Sequence, residues 1–254
     1  MTLLLVAAFF AAALLYASVG FGGGSTYSAL LIISGVDYRI LPAIALVCNV
    51  IVVTGGVVRF RTAGELPIIQ LLPYLVTSVP AAWIGGRLPI SETLFVGLLG
   101  GALLVSGIHL ALQKEQSGLR SMSRIAIPAP VGMAIGGAIG MLSGLVGIGG
   151  GIFLAPILYA LGWGTPRQIA GASSLFILAN SIAGLAGQIS KLQDLEILAM
   201  AVPYWPLPLA VLIGGQFGSW FASRRLSPSI IRRLTAALIL YVAIRLLLRW
   251  LESF

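Results

Sequence analysis

The 254-residue chain is 59% hydrophobic and only 9% charged, against roughly 25% charged in soluble domains, which excludes an ordinary soluble domain and places the chain in lipid. Its 15 Lys and Arg against 7 Asp and Glu leave a formal charge of +8, but these cations are spread over many short connections. That spread argues for acidic lipid headgroups as partners and against nucleic acid.

In chain order, the first charged residue is Asp37, so the opening residues 1–17 lack the basic region of a cleaved signal and read as a retained segment. Apolar stretches fall at 2–34, 41–58, 66–86, 93–112, 125–162, 170–188, 195–223 and 229–248. Each is predicted helical, because an open strand edge in hydrocarbon leaves its amides unsatisfied, and about 20 apolar residues suffice for one span. The predicted fold class is an all-α polytopic membrane protein with about eight hydrophobic segments. Stretches 2–34 and 125–162 are too long for one helix and too short for two full spans, and each contains a glycine cluster. Gly costs about 1 kcal/mol relative to Ala in a helix interior, so a break or a re-entrant tip is expected in both. Unwound backbone at membrane depth is tolerated only where protein or a watery cavity covers it.

The polar stretch 113–124, QKEQSGLRSMSR, divides the chain nearly in half. It separates a first repeat, 1–112, from a second, 125–254. Tyr16-Ala-Ser-Val-Gly-Phe-Gly-Gly-Gly24 aligns with Ser143-Gly-Leu-Val-Gly-Ile-Gly-Gly-Gly151, and Gly85-Gly86 with Gly214-Gly215. Two loci in the same order indicate duplication, and transporters built from repeats carry their sites where the repeats meet. If each long stretch crosses once, the cations divide almost evenly between the two faces. If each enters and returns, the halves are inverted. One face then collects Arg59, Arg61, Lys114, Arg120, Arg124, Arg167, Arg224, Arg225, Arg232 and Arg233, leaving Arg39, Arg87, Lys191, Arg245 and Arg249 opposite. The positive-inside rule favours the inverted arrangement.

A half-helix starting after GFGGG or GIGGG aims unpaired amides and about half a positive charge into the break, which suits an anion. The predicted binding residues are Gly22, Gly23, Gly24, Ser25, Thr26, Asn49, Gly149, Gly150, Gly151, Ser173, Ser174 and Asn180. Tyr16, Ser18, Tyr27, Ser28, Thr54, Ser143 and Ser181 are further neutral donors nearby. Blander readings stand beside this one. Ser and Thr in membrane helices bond back to their own helix, and the pairs Gly55-Gly56, Gly85-Gly86, Gly100-Gly101 and Gly136-Gly137 suit close helix packing. Arg59 and Arg61 face water or line a vestibule. Cys48 is the only cysteine, which excludes an intramolecular disulfide and a multi-cysteine metal site. His109 stands alone, and no cofactor or metal is expected. All seven acidic residues lie in or beside connections, whereas a proton-driven pump needs an ionisable group within the membrane. Export of a monovalent anion from a negative interior is favoured by about 2.3 kcal/mol per 100 mV, and sodium coupling through backbone carbonyls stays open.

The paired Gly-x-Gly-Gly-Gly motifs, the eight apolar segments and the small size resemble the sulfite exporter TauE/SafE family over essentially the whole chain. The resemblance implies a permease for sulfite, sulfoacetate or related organosulfur anions in the cell's inner membrane. It places Gly20, Gly22, Gly23, Gly24, Gly147, Gly149, Gly150 and Gly151 near the translocation path. The run Ala170-Gly171-Ala172-Ser173-Ser174-Leu175 is similar to the family's second-half pattern. Its first-half equivalent, Ala43-Ile44-Ala45-Leu46-Val47-Cys48, has no hydroxyl, and Ala29 stands where the second half has Pro156. The expected activity is secondary transport of a small anion, by a non-enzyme whose homo-oligomeric state is left open. Two other classes remain: an intramembrane hydrolase built on Ser143 and His109, and a membrane scaffold or assembly factor whose glycines only pack helices.

Overall fold

The computed structural model describes residues 3–19, 22–112, 127–191, 197, 199–221 and 228–252. Within them lie the α-helices α1 (Leu3–Val19), α2 (Gly24–Ile33), α3 (Leu41–Thr62), α4 (Ile68–Arg87), α5 (Glu92–Leu112), α6 (Ala129–Val146), α7 (Gly151–Ala160), α8 (Pro166–Lys191), α9 (Pro206–Phe221) and α10 (Pro228–Leu251). A short 3-10 turn, Val202–Tyr204, precedes α9, and Ile197 and Ala199 before it are helical too. No strand occurs among the described residues. Helices α3, α4, α5, α6 and α8 are long and apolar enough to cross a membrane, and α1, α2 and α7 are shorter apolar helices. The expected linker 113–124 lies outside the described residues.

Each of the two long apolar stretches resolves into two helices, α1 with α2 and α6 with α7. The first pair folds back on itself. Phe9 of α1 and Tyr27 of α2 stack with ring centroids 5.0 Å apart, and the Tyr16 and Thr26 hydroxyls are hydrogen-bonded at 2.8 Å. An unbroken helix would hold positions 9 and 27 about 27 Å apart at 1.5 Å per residue. Helix α2 therefore returns along α1, and at about 15 Å long it covers half a hydrocarbon core of about 30 Å. In the second pair, Gly150 lies against Ile139, two turns before the end of α6.

The folded-back segments pack into the opposite half of the chain. Gly136, Gly140 and Gly144 of α6 lie against the backbone of Tyr74, Ser78 and Ala82 of α4, so the two helices run parallel. Gly214 and Gly218 of α9 take the same positions against Phe10 and Leu14 of α1. Glycine four residues apart lets the backbones touch, the small-xxx-small device of membrane helix interfaces. The aligned sequence loci carry out equivalent tasks: Gly85 meets the Met141 carbonyl of α6, and Gly214 meets the Phe10 carbonyl of α1. Helices α5 and α10 are antiparallel, with Gly97 on Trp250, Gly100 on Leu247 and Gly107 on Leu240. Helices α3 and α8 are antiparallel too: Gly171, near the start of α8, rests on Phe60, near the end of α3.

These directions gather the α2–α3 turn, the α4–α5 turn and the ends of α8 and α10 on one face, with Arg39, Arg87, Lys191 and Arg249. The end of α3 and the start of α8, with Arg59, Arg61 and Arg167, lie on the other. Not every glycine pair packs as expected. Gly55 and Gly101 have nothing within 4 Å of where a side chain would begin.

Candidate anion site where the two breaks meet

The two breaks use glycine for different physical reasons. After α6, Gly147, Gly149 and Gly150 have φ of 78°, 82° and 80°, left-handed values that cost an L-residue roughly 1–2 kcal/mol each. The Gly147 amide donates to the Ser143 carbonyl at 2.9 Å, ending α6. Before α2, Gly23 has φ −90°, which any residue adopts, so there the need is for space. A side chain at Gly24 would run into the Ile148 carbonyl and stand 2.5 Å from the Asn49 Nδ2.

That contact joins the halves. Asn49, fully buried on α3, donates its Nδ2 to the Ile148 carbonyl at 3.3 Å. Gly22 lies beside its Oδ1, and Gly24 and Gly149 beside its Nδ2. Ile177 of α8 packs on Gly22, Gly149 and Gly151, and the Ser181 hydroxyl borders Gly149. The starts of α2 and α7 thus come together around one asparagine, and the first turn of each carries amides with no partner one turn back.

The remaining residues of the expected set divide. Ser25 and Thr26 are buried in the first turn of α2, with Thr26 held by Tyr16. Gly23 lies between Tyr27 and Tyr16. On α8, Ser173 is buried with its hydroxyl unpartnered, and its carbonyl borders Gly151. Ser174 instead donates to the Ala170 carbonyl at 2.9 Å, and Asn180 donates to the Phe176 carbonyl at 2.8 Å. Both spend a donor on their own helix, although the Asn180 Oδ1 is left unpartnered. Thr54 bonds back to the Val50 carbonyl at 2.6 Å and is exposed. Gly20 and the Ser18 side chain lie outside what the structure describes.

Two contributors carry no sequence signal, the Ile148 carbonyl and the Ile177 side chain. Ser181 was legible only as one more hydroxyl. Ser28, Ser143, Ser173, Ser181 and the Tyr27 hydroxyl are buried without a hydrogen-bond partner. A buried hydroxyl without a partner costs about 1–3 kcal/mol, and of these Ser143 borders Gly150, Ser173 borders Gly151 and Ser181 borders Gly149. Among the described residues every buried polar side chain in the Ser, Thr, Asn and Gln classes is uncharged, and none of the buried ones is Asp, Glu, Lys or Arg. The arrangement can hold a charge by hydrogen bonds and helix ends without placing a full counter-charge in the membrane.

Residues 4–246 match the family described as Sulfite exporter TauE/SafE. The chain belongs to that family. A curated relative from Sinorhizobium fredii (strain NBRC 101917 / NGR234), described as "Probable membrane transporter protein y4hK", is 33% identical over 248 residues, covering 96% of this chain and 97% of that one. No solved structure matches the chain. This TauE/SafE protein is therefore a multi-pass membrane transporter, and its membership points away from an enzyme.

Proposed function

We propose that this TauE/SafE protein is a secondary transporter or uniporter that exports a small anion, sulfite or an organosulfur or carboxylate anion such as sulfoacetate, across the cell's inner membrane. The reading rests above all on the meeting of the two glycine breaks at Asn49 and the Ile148 carbonyl. A weakly basic oxyanion accepts hydrogen bonds from helix-start amides and neutral hydroxyls, and needs no proton transfer to be held or released.

Alternating access is assigned to the repeats 1–112 and 125–254. The antiparallel α3–α8 and α5–α10 pairs support an inverted relation between them, with the site at their interface, as in other repeat-built transporters. The positive-inside rule then puts Arg59 and Arg61 on the cytoplasmic side. An interior-negative potential drives a monovalent anion outward by about 2.3 kcal/mol per 100 mV, which suffices without a coupled ion.

The test is flux in proteoliposomes containing the purified protein, with sulfite, sulfate, sulfoacetate and chloride offered under a clamped potential and with or without pH and sodium gradients. Saturable movement that follows the potential and is lost in Gly24→Ala and Gly150→Ala is expected. No flux of any anion under any gradient overturns the reading.

A further inference from the structure

A cavity of about 180 Å³ opens between the α2–α3 turn, the α4–α5 turn and the last turns of α6 and α8. Its wall includes Tyr38, Arg39, Pro42, Leu145 and Lys191, and all of these elements lie on the cation-poor face. At about 30 Å³ per water, the space holds a small anion with part of its hydration shell.

Two observations connect this cavity to the crossing of the breaks. Pro42 packs directly on Gly147, the left-handed residue that ends α6, and Leu145 stands two positions before it. Lys191 is the last residue of α8, the helix that also carries Ser173 and Ser181, and it sits about 15 Å along that helix from Ser181 at 1.5 Å per residue. The cavity therefore borders helices that also carry the crossing.

Among the described residues, Arg39 and Lys191 are the charged residues of the wall. Asp37, just outside, bridges Arg39 at 2.7 Å and fixes that side chain in place. Lys191 is half-buried and forms no ion pair among the described residues. A cation so placed draws anions toward the mouth.

We propose that Lys191, with Arg39 beside it, forms an anion-capture site at the cation-poor mouth of the path, the exit side for an exported anion, where a small carboxylate or sulfur oxyanion docks between the crossing of the two breaks and solution. This rests on the transport reading above. A lysine at a helix C-terminus also complements the helix dipole. That role alone changes stability, not the concentration dependence of flux from one side.

The experiment measures sulfite entry into proteoliposomes sorted for orientation, comparing the parent protein with Lys191→Gln, Lys191→Arg and Arg245→Gln. Arg245 is exposed near the same end of α10 and controls for general surface charge. For entry from the Lys191 face at low salt, Lys191→Gln is expected to raise the half-saturating concentration about fivefold, close to 1 kcal/mol, with maximal rate within twofold. Lys191→Arg is expected to restore the parent value, Arg245→Gln to leave it unchanged, and added salt to shrink the difference. An unchanged half-saturation in Lys191→Gln, or an equal shift in Arg245→Gln, overturns the capture site while leaving the transporter intact. Absence of flux in the parent protein overturns the transport reading itself.

Discussion

A single methyl at Gly24 is the sharpest perturbation of the crossing. The Cβ of Gly24→Ala would overlap the Ile148 carbonyl and press on the Asn49 amide. The carbonyl has little room to yield, since left-handed Gly147 and Gly149 flank it. Overpacking a rigid contact costs about 1–3 kcal/mol. Driving Asn49 off the Ile148 carbonyl strands a buried donor and acceptor for about another 1–3 kcal/mol. Even 2 kcal/mol, if it falls on the arrangement in which the breaks meet, lowers its population about thirtyfold. The assay is initial anion flux per folded protein in proteoliposomes, with folding checked by gel filtration in detergent. Gly101→Ala, where no atom lies within 4 Å, is the matched control and is expected to behave as the parent. Flux within twofold of the parent in well-folded Gly24→Ala would refute the claim that contact between the breaks is needed for transport.

Gly150→Ala is expected to reduce flux more than tenfold, because φ of 80° adds about 1–2 kcal/mol of backbone strain to contacts with Ile139 at 2.8 Å and Phe176 at 3.0 Å. Gly23→Ala is expected to be milder, since its φ is ordinary and it meets the side chains of Tyr27 and Tyr16; the same flux assay ranks the two. Asn49→Ala is expected to impair flux more than Asn180→Ala, because the Asn49 amide bridges the halves while that of Asn180 serves its own helix. At the membrane surface, hydrogen bonds from Arg39 hold the Asp37 carboxyl below its ordinary value of 3.8. The pair's small stabilisation is therefore present above that value and lost as pH falls through the lower folded-state pKa. The difference in thermal stability between the parent and Asp37→Asn should persist at neutral pH and close as the pH is taken below the lowered folded-state pKa.

The membrane fold was legible because it follows from composition, and the breaks because a run of glycines disfavours helix wherever it occurs. The reason for each glycine was not legible. GFGGG and GIGGG look alike in sequence, yet Gly24 is needed for a close approach to Ile148 in the other half and Gly150 for a left-handed turn. The same limit hid the difference between Gly136, pressed on the Tyr74 backbone, and Gly101, which touches nothing within 4 Å. Asn49 and Asn180 read alike in sequence, but whether an asparagine turns to its own helix, as at Asn180, or across to another, as at Asn49, depends on which carbonyl the tertiary fold delivers. Ile148 and Ile177 contribute a backbone oxygen and a wall, and neither role leaves a mark in residue type.

On the proposed function, the distribution of charge along the path explains how an anion site in lipid can also release its ligand. A lysine or arginine at the crossing would carry a large desolvation cost and would bind an anion tightly once paired. The crossing instead offers helix starts, each worth about half a charge, and uncharged hydroxyls. Full charges stand at the mouth, where Lys191 is half in water and its field decays over roughly 8 Å at physiological ionic strength. An exported anion would thus pass from unscreened partial charges to a screened whole one, in line with the need of conduction for sites that bind without trapping. The fold reaches it by bringing two half-length helices together from opposite directions, so that neither end has to carry the whole counter-charge.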